Sequence, residues 1–161
     1  MRIVIITQND PFFLAENVNY LVKILPKHSE IVACFVGSAS PFGKKDDFLK
    51  KVIKTYNVFG LKFFIYYSTK FILSRFQNSK KIENVLKEKK IDRILLDKHI
   101  NHRESVEIIK NYNPDLLISI LGNQIFKESI INLAPKGCLN LHTALLPKYR
   151  GLMPTFWVMK N

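Results

Sequence analysis

Arg2-Ile-Val-Ile-Ile-Thr-Gln-Asn-Asp-Pro11 opens the chain with an apolar run that ends abruptly in turn residues. A strand with one wet face alternates apolar and polar residues, whereas a strand covered on both faces does not. Residues 2–7 therefore read as a buried strand of a parallel sheet, and Gln8 to Pro11 as the turn beyond its carboxyl end.

Working outward, the same unit recurs. Phe12 to Leu25 has helical length and spacing and stops at Pro26. Ile31 to Val36 is a second buried strand closed by Gly37, and Ser38 to Gly43 a loop. Lys45 to Tyr56 reads as a helix, and Gly60 restarts a strongly apolar stretch to Phe76. A polar helix over Lys80 to Lys90 leads to a short strand, Ile91 to Leu96. Ser105 to Tyr112 is a helix closed by Asn113-Pro114, Asp115 to Leu121 a strand, Lys127 to Leu133 a helix, and Cys138 to Leu141 a last strand. Pro154 can open a further helix with Trp157 in its first turns. Alternating strands and helices imply an α/β, Rossmann-like fold: a mostly parallel sheet with helices on both faces, in a single domain over residues 1–161. Such sheets bind ligands beyond the carboxyl ends of their strands. Gln8 to Asp10, Gly122 to Gln124 and Asn140 to His142 all fall at predicted strand ends, so three segments converge on one rim.

The richest chemistry lies in Asn140-Leu-His-Thr-Ala-Leu-Leu-Pro-Lys-Tyr-Arg-Gly-Leu-Met-Pro-Thr-Phe-Trp157. Residues two apart in a strand share a face, so Asn140 and His142 aim together past the strand end. A carboxamide donates a hydrogen bond to a developing oxyanion, and an imidazole moves protons near neutral pH. The pair suits carbonyl-group transfer. Leu145-Leu146-Pro147 turns the chain back over the site, Gly151 allows close backbone approach, and Arg150 is either an anion clamp for the acceptor or a surface cation.

The pattern Asn140-x-His142-x-x-Leu-Leu-Pro147-x-Tyr-Arg150-Gly151-x-x-Pro154-x-x-Trp157, with Pro114-Asp-Leu-Leu-Ile-Ser-Ile-Leu-Gly122-Asn-Gln124-Ile-Phe126 before it, resembles the folate-dependent formyltransferases. These include methionyl-tRNA, glycinamide ribonucleotide and sugar N-formyltransferases. The resemblance implies formyl transfer from 10-formyltetrahydrofolate, a one-carbon transferase activity, to an amine. It implies catalytic roles for Asn140 and His142, with Pro147 in the cis form. It also implies a folate wall at Leu121, Gly122, Asn123, Gln124, Ile125 and Phe126, and an acceptor site near Asn9, Asp10 and Arg150. Gln8-Asn9-Asp10 lacks the Gly-rich phosphate loop of the ribonucleotide enzymes, and the Gly151 to Trp157 pattern is nearer the sugar-formylating branch, so an amino-sugar nucleotide is the acceptor implied. Two departures stand out. The family's Ser two residues after the His is Ala144 here, preceded by Thr143. Members also complete the site with an Asp on a later loop, beyond Asn161. The expectation is a catalytic domain incomplete at its C-terminus, inactive or impaired as it stands. The alternatives are a degenerate folate-binding chain without activity and a basic RNA-associated protein.

Composition narrows the remaining choices. A hydrophobic content of 47% with 24% charged residues is that of a globular chain. No apolar run is long enough to span a bilayer, and Arg2 to Ile6 is too short for a signal-peptide core, which points to the cytoplasm. Cys34 and Cys138 lie in strand-like runs and read as buried reduced thiols; no Cys/His spacing suggests a metal. No Gly-rich phosphate loop supports a nicotinamide or ATP cofactor. The net charge of +12 is compatible with RNA, but twenty of the 25 basic residues are scattered Lys, the pattern of a solvated surface. Phe59 to Phe76 interleaves Phe and Tyr with Lys62, Lys70 and Arg75. That stretch fits a core helix, a homodimer interface or a membrane-facing helix.

Overall fold

The computed structural model describes residues 1–8, 10, 13–37, 47–76, 81–122, 124–149 and 158–159. Five strands, β1 (Arg2–Gln8), β2 (Glu30–Gly37), β3 (Asp92–Leu96), β4 (Leu116–Ile120) and β5 (Cys138–Leu141), form one sheet in the order β3-β2-β1-β4-β5. Every neighbouring pair is parallel. The helices are α1 (Leu14–Ile24), α2 (Phe48–Phe76), α3 (Ile82–Glu88), α4 (Arg103–Lys110) and α5 (Glu128–Ile131).

Central strands bury both faces, as their unbroken apolar runs require. Ile3 and Ile5 of β1 pack with Leu14 and Val18 of α1 and Val85 and Leu86 of α3. Val4 and Ile6 turn the other way, onto Phe35, Ile109 of α4 and Ile130 of α5. This division follows from handedness. The chain winds from β1 through β2 to β3, then crosses back to β4 and β5 on the far side of β1. Right-handed crossovers then put α1 and α3 on one face and α4 and α5 on the other. The reversal falls between β1 and β4, where an open α/β sheet leaves a crevice.

The amino ends of β1 and β4 are tied together. Arg2 N donates to Asp115 Oδ2 at 2.7 Å, Asp115 N to Arg2 O at 2.8 Å, and the Arg2 guanidinium to Tyr112 O at 3.0 and 3.2 Å. Phe35, fully buried, meets the Tyr112 ring edge-on at 5.5 Å.

The elements lie where the apolar pattern put them, with trimmed ends. The helix read over Lys80 to Lys90 occupies Ile82–Glu88, and that read over Lys127 to Leu133 is one turn, Glu128–Ile131. The two pieces read on either side of Gly60 are two helical arms of α2, separated by a non-helical Gly60 (φ 76°, ψ 174°). There the chain folds back enough to bring the Tyr56 and Phe64 rings to 5.8 Å. The Ser38 to Gly43 loop, the start of the Lys45 helix and the helix expected from Pro154 through Trp157 lie outside the described residues.

The two thiols differ. Cys34 is wholly buried, and burial, opposed by Arg93, pushes its thiol up to about 12. Cys138 is only half-buried, because β5 is an edge strand of the described sheet; burial raises its thiol as well. An unfolded Cys34 ionises near its ordinary value of 9.0, so its burial favours folding below pH 9 and loses that contribution as pH climbs toward 12. A thiol-reactive disulfide reagent at pH 8 should label Cys138 in the native protein and Cys34 only on unfolding. Equal native rates would contradict this packing.

Candidate active site

Parallel strands bring every carboxyl end to one rim, and β1, β4 and β5 are neighbours there. β4 ends in an unusual turn. Leu121 adopts φ 55°, a left-handed conformation that costs a non-glycine residue about 1–3 kcal/mol. Gly122 then passes directly over Ser119: a Cβ at this position would sit 2.6 Å from Ser119 Oγ. Ser119 is 3% exposed, so little room exists for it to yield.

The loop that follows is held by its neighbour across the crevice. Gln124 Oε1 accepts from Ile100 N at 2.7 Å. Asn101 Nδ2 donates to Ile125 O, and Lys127 N donates to Asn101 Oδ1, each at 2.8 Å. Phe126 packs on the α4/α5 core, whereas Ile125 points outward, 86% exposed. Beside Phe126, toward the ends of β1, β2 and β3, lies a small, mostly apolar cleft lined by Ile6, Thr7, Leu96, Gly122, Gln124 and Phe126, among others; neither Ile125 nor β5 lines it.

β5 completes the corner. A Gly137 at φ 79° precedes it, and in register Asn140 pairs with Ser119. Cys138 packs on the α4/α5 core, so Asn140, two residues on, shares that face with Ser119. Leu139 and Leu141 occupy the opposite face and are more than half exposed. Asn140 thus stands beside the residue over which the Gly122 turn folds. Its side chain is exposed, with no hydrogen bond among the described residues.

His142 is the first residue past β5, and its ring Nε2 lies 2.7 Å from Tyr149 O. A carbonyl only accepts, so Nε2 carries the proton and neutral His142 keeps its Nδ1 lone pair for other use. Tyr149 N in turn donates to Leu145 O at 3.1 Å, closing the turn that contains the cis Leu146–Pro147 bond.

The remaining candidates divide. Asn9, Asn123 and Arg150 lie outside the described residues. Asp10, read as an acceptor contact, has Oδ1 engaged by Phe13 N at 2.6 Å and Leu14 N at 3.2 Å at the start of α1. His99 and His102 are exposed and hold local turns. His102 Nδ1 accepts from Glu104 N at the start of α4, and His99 Nδ1 from Asn101 N. Asn101 and the Tyr149 carbonyl escaped sequence reading. Asn101 acts across 24 and 26 residues, and a backbone carbonyl leaves no compositional trace.

The sheet, the cleft at the β4 turn and the Asn–x–His segment at the end of β5 share one rim of a parallel α/β fold. The whole chain, residues 1–161, matches the formyl transferase family and belongs to it. The methionyl-tRNA formyltransferase of Borreliella burgdorferi (strain ZS7) is 35% identical over 107 residues, covering 65% of this chain and 32% of that protein. That of Borreliella afzelii (strain PKo) is 40% identical over 79 residues, 48% of this chain and 24% of its own length. The chain therefore spans about a third or less of these relatives, on the coverages of 32% and 24%. Among solved structures, phosphoribosylglycinamide formyltransferase from Bacillus halodurans superposes with TM-score 0.60 at 14% identity, covering 99% of this chain and 65% of that one. Glycinamide ribonucleotide transformylase 1 from Symbiobacterium toebii gives 0.59 at 12%, covering 99% and 59%. At such identities the likeness is one of fold.

The Gly122 turn is directly testable. Gly122→Ala should lower stability by about 1–3 kcal/mol, the usual scale of overpacking. Ser119→Ala/Gly122→Ala should recover most of the loss, because the atom in the way is Ser119 Oγ and Ser119 Cβ is an ordinary 3.9 Å away. Denaturant melts that show no recovery would mean that the turn does not lie over Ser119.

Proposed function

We propose that this chain forms the donor-binding and catalytic part of one formyltransferase domain. 10-Formyltetrahydrofolate supplies the activated formyl group, and an amine receives it. The observation that carries this reading is the register of Asn140 against Ser119 under the Gly122 turn. It sets the Asn140 carboxamide next to the β4 turn, with His142 two residues further along the same rim; the apolar cleft lies on the other side of that turn, toward the ends of β1, β2 and β3. The apolar cleft and the bare backbone of Gly122 stand beside the loop that the resemblance assigns to the folate. Leu121 to Phe126 would hold the folate.

Each residue then has a defined task. Asn140 Nδ2 donates to the formyl oxygen as negative charge gathers there, an effect worth on the order of 10²–10³ in rate for one such donor. His142, its Nε2–H held by the Tyr149 carbonyl, takes the amine proton at Nδ1. Asn9, Asp10 and Arg150 are proposed on the acceptor side, with Asp10 also capping α1.

Two acceptors have support. The Gly151 to Trp157 sequence favours an amino-sugar nucleotide. The identity to methionyl-tRNA formyltransferases and the charge of +12 favour the amino group of an aminoacylated tRNA. Transfer assays with both acceptors separate them, since turnover on tRNA should fall steeply with salt.

In a catalytically active form of the domain, extended through the family's later Asp loop, Asn140→Ala should reduce kcat by about 10²–10³ and His142→Ala by about 10²–10⁴, with folate affinity nearly unchanged in both. Unaltered turnover in either variant would remove that residue from the mechanism. Folate binding without transfer to any amine would favour a non-catalytic chain.

A further inference from the structure

The corner formed by β4 and β5 makes no use of α2. In sequence this segment carries Lys50, Lys51, Lys54, Lys62, Lys70 and Arg75 and no Asp or Glu. Beyond the break at Gly60, the half-buried residues are Phe64, Ser68 and Phe71. They recur at i, i+4 and i+7, one stripe of the helix, and the Phe64 ring on it meets Tyr56 of the segment before the break at 5.8 Å. Beside that stripe Tyr67 senses the Asp10 carboxylate, which adds to burial in raising its phenol above the ordinary value.

At about 100° per residue, Lys62, Tyr66, Thr69 and Leu73 lie on the opposite side. Between that side and the stripe runs an exposed apolar flank, about 60–120° round from Phe64: Leu61 is 59% exposed and Phe76 80%, with Ile65 and Ile72 between them, and Leu73, also 59% exposed, continues it. Lys70 Nζ sits 5.0 Å over the Tyr66 ring, and Lys62 is exposed among the same residues.

We propose that the outward face of α2 beyond Gly60 docks on an anionic lipid bilayer, its apolar and aromatic side chains entering the headgroup–acyl boundary while Lys62 and Lys70 pair with lipid phosphates. Charge complementarity carries the choice. A helix with cations, no anions and an exposed apolar face matches a surface that is negative above and apolar below. Lysines that lay their stems along the apolar face and lift their heads to phosphate fit the same surface. A second copy of the chain would set these cations against one another with no acid on the helix to answer them. An RNA strand would take the cations and the rings but has no use for Leu61, Ile65, Ile72 and Leu73. Among the described residues no helix is long and apolar enough to cross a membrane, so α2 would lie along the surface.

The test is co-sedimentation of the full chain with vesicles of phosphatidylcholine alone or mixed equally with phosphatidylglycerol. Each cation near an anionic surface is worth about five-fold in partitioning, so Lys62→Gln/Lys70→Gln should bind the mixed vesicles about 25-fold more weakly, whereas Lys62→Arg/Lys70→Arg should bind as before. Ile65→Ser/Leu73→Ser should also lose binding with its circular dichroism unchanged, both positions being exposed. Equal or absent binding to the two vesicle types would overturn the proposal. So would Gln variants that bind as wild type, a wild-type dimer that the Ser variant dissociates, or RNA binding through the same lysines with no vesicle binding. None of these readouts depends on formyl transfer.

Discussion

Parallel pairing of β1 between β2 and β4 is the constraint on which the rest of the structure depends. It requires both faces of β1 to be apolar, which Ile3, Val4, Ile5 and Ile6 satisfy in turn. It sends all strand ends carrying turn chemistry to one rim. Because the winding reverses at β1, it also leaves the crevice there for the loop after β4. A polar substitution at Val4 or Ile5 would act on the cleft as surely as on the core, since the two are built from the same strands.

The corner beside the crevice is assembled from small, specific steric and hydrogen-bond relations. Leu121 turns left-handed, Gly122 clears Ser119 Oγ, and Asn101 and Gln124 fasten the loop to the segment after β3. That fastening holds a strained turn in place and keeps the loop close beside Asn140. The Tyr149 carbonyl does the equivalent for His142, fixing which ring nitrogen keeps its lone pair. The Tyr149 carbonyl thus orients His142, whereas no hydrogen bond among the described residues fixes the Asn140 side chain.

Much of this was legible in the sequence, because burial on both faces leaves unbroken apolar runs, and turns leave Gly, Pro, Asn and Asp. Strand ends at Gln8, Gly37, Leu96 and Leu141 could be read that way. Contacts between segments distant in sequence leave no local pattern. Nothing around Asn101 announces its bonds to Ile125 and Lys127, and nothing in Asp10 tells a helix cap from a ligand contact. Gly60 was visible as a break, but its outcome, two arms bent until Tyr56 meets Phe64, depends on packing that no local signal encodes.

The central claim is that the folate lies between the loop after β4 and the end of β5. An NMR titration with 5-formyltetrahydrofolate, which resembles the donor but does not transfer its formyl group, tests it most directly. Amide shifts should concentrate at Leu121 to Phe126 and at Asn140 to His142, with the His142 ring showing its proton on Nε2. Shifts centred on the amino ends of the strands near Arg2 and Asp115, or none at saturating ligand, would contradict the account.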